Sequence, residues 1–142
     1  MTIPSALIGL ALLLVATVAF ALCVRRPRTR VRPAVPGEVV EAGRLGAERL
    51  GDRATLLQFS AESGKRCADA HRTLASVADS EDGVLHVDVD LTGRPDLARQ
   101  FRVLQTPTTL ILDRDGVVQT RFGGVPSRDV VELELTRMAA GS

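Results

Sequence analysis

Few side chains in this chain combine reactivity with a useful spacing. Cys67 closes the run Gly64-Lys65-Arg66-Cys67, and His71 follows one helical turn later. A thiol near a helix start can serve as a nucleophile, because the unpaired amides and the dipole of that end stabilise a thiolate. The competing reading of Cys67 is a small buried helix residue. His71 reads as a partly exposed helix residue, with pairing to Cys67 the alternative. His86, Asp88 and Asp90 alternate along Val84-Leu85-His86-Val87-Asp88-Val89-Asp90 and share one face of a strand. That is either a polar face and strand end or a set of cation ligands. Cys67 has no second thiol or well-spaced histidine beside it, so no metal site is assigned. No pattern calls for a cofactor. Thr106-Pro107-Thr108 supplies an X-Pro bond, whose cis form costs only about 0.5–1 kcal/mol and can be selected by a turn.

The chain that must position these residues has 142 residues, 45% of them hydrophobic and 3% aromatic, with no Trp or Tyr. Its core must therefore be built from Leu, Val, Ala and four Phe. Basic residues are 17 Arg and one Lys. Five of these 18 lie together (Arg25, Arg26, Arg28, Arg30, Arg32), which leaves 13 against 17 acidic side chains elsewhere. A net acidic domain argues against nucleic acid as a partner. Cys23 and Cys67 lie in different segments and make no disulfide framework.

Residues 1–24 carry no charge and are almost wholly apolar from Ala6 onward. About 20 helical residues cross a bilayer core, so Ile3–Val24 is predicted to be one transmembrane helix. A cleaved signal would place basic residues before the apolar run; here they follow it. Leu22 also makes Phe20-Ala21-Leu22-Cys23 a poor lipoprotein cleavage site. Cys23 at the helix end reads as an apolar filler. The arginines after the helix put the rest of the chain on the cytoplasmic side of the cell membrane, and they sit where anionic head groups would attract them.

Pro27, Pro33, Pro36 and Gly37 mark 25–37 as a basic, proline-rich linker. One domain is expected over 38–142. Glu38-Val39-Val40 suggests a first strand and Gly43–Leu50 a helix. Thr55–Phe59 reads as a strand, and Lys65–Ala78 has helical spacing at Cys67, Ala70, Leu74, Val77 and Ala78. Val84–Asp90 alternates as a strand. Pro95–Arg102 reads as a short helix with proline in its first turn. Asp113-Arg114-Asp115-Gly116 joins strands Thr108–Leu112 and Val117–Phe122 as a hairpin. Ser127 is a candidate N-cap for Arg128–Ala139, with Val130, Val131, Leu133, Leu135 and Met138 as its apolar positions. The order β-α-β-α-β-α-β-β-α predicts a mixed sheet with helices on both faces.

That order, with Phe59-x-Ala61 before the turn, Gly64-Lys65-Arg66-Cys67, Val87-Asp88-Val89-Asp90, Thr106-Pro107-Thr108 and Gly123-Gly124, resembles the thioredoxin family over about residues 38–139. The resemblance implies a thioredoxin-like α/β fold with a cis-proline loop at Pro107. It implies an active-site turn in which Gly64 occupies the place of the attacking cysteine and Cys67 that of the resolving one. Ser63 stands where the family has an aromatic residue, and Gln58 where it often has an acid. In the family, the backbone before the cis-proline pairs with an extended peptide. Thr106 and Pro107 are therefore the expected peptide-binding residues. Lys65 and Arg66 are either solvated charges or a basic rim.

The expectation is a membrane-anchored domain, redox-inactive or redox-impaired, that binds a protein partner through the cis-proline surface. The alternative is a thiol-disulfide oxidoreductase using the single Cys67 on a thiol substrate.

Overall fold

The computed structural model describes residues 3–24, 30–35, 37–61 and 64–141. Helix α1 (Ile3–Val24) is 22 residues long, about 33 Å at 1.5 Å per residue. Its described side chains are exposed and, apart from Ser5 and Thr17, apolar. The Thr17 hydroxyl donates to the carbonyls of Leu13 and Leu14, so that polar group is satisfied within the helix. The helix is long and apolar enough to span a membrane.

The remaining elements are β1 (Arg30–Pro33), α2 (Ala42–Leu45), β2 (Ala54–Ser60), α3 (Lys65–Ser80), β3 (Val84–Asp90), α4 (Pro95–Gln100), β4 (Thr108–Asp113), β5 (Val118–Gly123) and α5 (Arg128–Ala140). They form one five-stranded sheet in the order β1-β5-β4-β2-β3. β2 and β3 run parallel, and every other pair is antiparallel. The sheet is mixed, as expected.

Alternation along the central strands divides the core in two. Leu57, Phe59, Leu110 and Leu112 face one side, packed with Leu45 of α2, Leu97 of α4 and Phe101. The Phe59 and Phe101 rings lie 5.1 Å apart between centroids. Ala54, Leu56, Ile111 and Phe122 face the other side, against Leu74 and Val77 of α3 and Val131 and Leu135 of α5. Each such leucine or phenylalanine removed from water contributes roughly 1.5–3 kcal/mol. Arg128 ties the two helices of that face together by donating to the Ser76 and Ser80 hydroxyls.

Four sequence expectations need correction. The first strand is Arg30–Pro33, inside the span read as linker. The folded domain therefore includes residues before 38. Glu38-Val39-Val40 is not a strand. Val39 makes one isolated bridge to Val117, and the Val40 amide donates to the Gly116 carbonyl at 2.8 Å. The helix expected over Gly43–Leu50 is a single turn, stopped by Gly46 in the left-handed conformation. On α5, Leu133 faces solvent although its neighbours Val131 and Leu135 are buried. Ser127 is the N-cap of α5, as expected, without a side-chain capping bond.

Candidate functional site

Gly64 is the N-cap of α3, in an extended conformation with φ −86° and ψ 125°. Its carbonyl accepts the Ala68 amide at 3.1 Å. Lys65 and Arg66 are exposed in the first turn, and no acidic residue offsets them there. Cys67 follows on the inner face of the helix and is buried, with 9% of its surface exposed. A Cβ on Gly64 would lie 3.5 Å from the Cys67 Sγ and 3.8 Å from its Cβ. The position facing the thiol is therefore the one that lacks a side chain. Ser63, expected beside it, lies outside the described residues, as do Arg25, Arg26 and Arg28 of the basic run.

The Thr106–Pro107 bond is cis. Pro107 is buried and Thr106 half-buried. The Pro107 carbonyl accepts the Gly124 amide at 2.9 Å. Gly124 has a φ of +93°, and a Cβ there would come within 3.1 Å of the Arg66 guanidinium. Arg66 thus folds back from the start of α3 onto the residue that braces the proline loop. The two sequence landmarks thus lie side by side, an adjacency that neither of them signals alone.

Beneath Cys67 lies a hydrogen-bonded group that sequence reading did not assemble. Gln58 is fully buried on β2. Its Nε2 donates to the Cys67 carbonyl at 3.0 Å. Its Oε1 therefore faces His86, whose Nε2 donates to it at 3.1 Å. Burial, and next the neighbouring His71, hold His86 below the ordinary histidine pKa, while Asp88 and Asp79 oppose the shift. The His71 and His86 rings meet edge to face, 4.7 Å apart. His71 Nδ1 bonds to Asp88 at 2.9 Å, not to Cys67. The Ser60 hydroxyl donates to the other Asp88 oxygen at 2.6 Å. A serine nucleophile needs an imidazole against its hydroxyl. Here the carboxylate stands between the two, so this chain of residues is not a hydrolytic triad. Hydrogen bonds from Thr92, its hydroxyl first and then its amide at 2.8 Å, lower the pKa of Asp90. The three polar residues of the β3 face thus serve three different partners.

A cavity of about 910 Å³ opens at the far end of the sheet between Arg53, Asp113, Arg137 and Met138. It contains none of the residues above.

A mixed sheet of this order, a helix starting at the turn after β2 and a cis-proline entering β4 together decide the architecture. The fold is thioredoxin-like. Solved thioredoxins superpose on it. Chloroplastic thioredoxin z shares 20% identity over 77% of this chain and 99% of its own, with a TM-score of 0.58. Thioredoxin-2, a component of the malaria parasite protein secretion machinery, shares 20% over 60% of this chain and 82% of its own, with a TM-score of 0.55. Mitochondrial thioredoxin 3 from Saccharomyces cerevisiae shares 20% over 61% and 79%, with a TM-score of 0.52. No protein-family model and no curated protein matches the sequence. At these identities the likeness shows the thioredoxin-like fold alone.

Proposed function

We propose that this chain is a single-pass membrane protein whose thioredoxin-like domain, on the cytoplasmic side, binds an extended segment of a protein partner and does not turn over disulfides. The observation that carries this reading is Gly64. Disulfide exchange begins when a thiolate attacks a substrate sulfur, forming a mixed disulfide and releasing the other sulfur as a thiolate; a second thiol then resolves it. The side chain facing Cys67 at the helix start is missing, so an intramolecular resolving step has no second thiol. The cis-proline loop and its brace at Gly124 persist without it. Strand addition at that loop requires backbone groups only.

The test is an insulin-reduction assay on the full chain in detergent. Turnover should be indistinguishable from buffer, and Cys67 should be alkylated slowly in the folded state because its sulfur is largely covered. Reduction at the rate of an intact Cys-x-x-Cys protein, lost on Cys67→Ala, would instead establish the second reading. In that reading Cys67 alone takes up a mixed disulfide. What favours it is that the position facing the Cys67 sulfur carries no side chain.

A further inference from the structure

Away from Cys67, on the α2 and α4 side of the sheet, a small cavity of about 180 Å³ opens between the ends of β1 and β5 and the loop leading to the cis-proline. It is lined by Arg32, Arg102, Arg121, Leu104, Gln105 and Thr108, among others. At that size it takes a single chemical group rather than a whole small ligand, for which cavities of roughly 300–1,000 Å³ are usual.

Its charge is one-sided. Arg32 and Arg121 stand directly opposite each other on β1 and β5, an arrangement of like charges that sheets ordinarily avoid. Arg102 is the third cation, on a backbone with φ 52°. Arg121 is half-buried and donates to the Phe101 carbonyl at 2.8 Å. Its one acid, Glu38, is 4.0 Å away. Among the described residues, Arg32 and Arg102 have no acidic partner within 4 Å. Burial, then the balance of Glu38 against Arg102 and Arg32, leaves the Arg121 pKa lowered. The fold thus gathers three guanidinium groups around a space that an anion would relieve. Guanidinium forks match phosphate oxygens well.

Two further observations say which phosphate. Leu104, on the rim, is 88% exposed, more than any other large apolar side chain outside α1. And only five residues, 25–29, separate the end of α1 from β1, which carries Arg32. Those residues span at most roughly 20 Å. An arginine pocket with an apolar rim, tethered that close to a membrane helix, is matched to a lipid surface.

We propose that this pocket binds the phosphate of an anionic lipid headgroup in the membrane that holds α1, with Leu104 entering the headgroup layer. The inference rests on the anchor reading above and adds a docked orientation to it. Cys67 belongs to α3, on the opposite face of the sheet, while the cis-proline loop borders the pocket through Gln105 and Thr108.

The experiment uses the full chain reconstituted in phosphatidylcholine vesicles, with and without phosphatidylglycerol. Alkali-resistant flotation with the vesicles is read first. Its failure overturns the anchor and the docking together. With flotation intact, amide hydrogen exchange at 102–105 should slow at least about fivefold in the anionic vesicles, one arginine's worth of surface attraction. Arg32→Gln and Arg102→Gln, separately, should each remove most of that slowing and leave exchange in neutral vesicles unchanged. Equal exchange in both vesicles overturns the docking alone. Equal protection in neutral vesicles by inorganic phosphate, or by a polyglutamate peptide, overturns the lipid assignment in favour of a soluble anion or an acidic protein segment.

Discussion

A cysteine introduced at position 64 would place its Cβ 3.8 Å from that of Cys67, the mean separation in disulfides. The backbone there is extended and accepts any residue. Gly64→Cys should therefore close a disulfide on mild oxidation without disturbing the fold. Intact mass should fall by two hydrogens, and both thiols should reappear on reduction. A pair that closes only after unfolding would mean that residue 64 does not face Cys67. His86 supplies a second expectation at this scale. Its folded pKa is lowered, so between that value and the unfolded one near 6.5 the unfolded chain binds more protons. Stability should then rise with pH through this window and be lost as pH falls below about 6.5. Denaturant midpoints at pH 7.5 and 5.5 should show the decline, and His86→Gln should reduce it. Gly64 and Cys67 are legible in the sequence because their spacing is local, and Pro107 because an X-Pro bond is a local signal by itself. The Gln58–His86 pair is not legible, because residues 28 positions apart meet only once β2 and β3 lie side by side. Gln58 read only as a lost acid; its structural work of tying α3 to β3 has no sequence signal.

Most elements could be read from periodicity because they bury a face. β3 was found with its observed limits, and the α3 positions Cys67, Ala70, Leu74 and Val77 are all buried. β1 was missed for the opposite reason. Arg30-Val31-Arg32-Pro33 is an edge strand held by backbone pairing to β5; Val31 is half exposed, and the proline counts against a strand. Val39 and Val40 misled because Val40 is buried by packing, not by pairing. Leu133 misled because an apolar residue within a helical run need not face the core. Gly51 shows what else an element needs. It is buried ahead of β2 and donates to the Thr55 hydroxyl at 2.8 Å. A Cβ there would sit 2.0 Å from the Ala54 carbonyl oxygen and 2.9 Å from the Leu85 amide. Both obstacles are backbone and cannot swing aside. Gly51→Ala should cost about 2 kcal/mol or more, measured by urea unfolding. A loss under about 0.5 kcal/mol would show that the start of β2 can shift.

For the molecule as a whole, the arginines that follow α1 predict which side the domain occupies. External protease added to intact cells should leave it uncut, and the N-terminus should remain joined to it. Digestion from outside would reverse the orientation, and a new N-terminus after residue 20 would turn the anchor into a cleaved signal. The pairing of β1 with β5 carries one more consequence, for the order of events during synthesis. Arg32 is among the first domain residues to leave the ribosome, yet its partner in the sheet is Arg121. Contacts so distant in sequence form late. The strand nearest the anchor must wait, unpaired, until nearly the whole chain has emerged. On the anchor reading proposed above, α1 enters the bilayer before then, and the sheet is completed on a chain already tethered. A nascent chain stalled before β5 would expose the edge of β4 and should be the form that chaperones or proteases recognise.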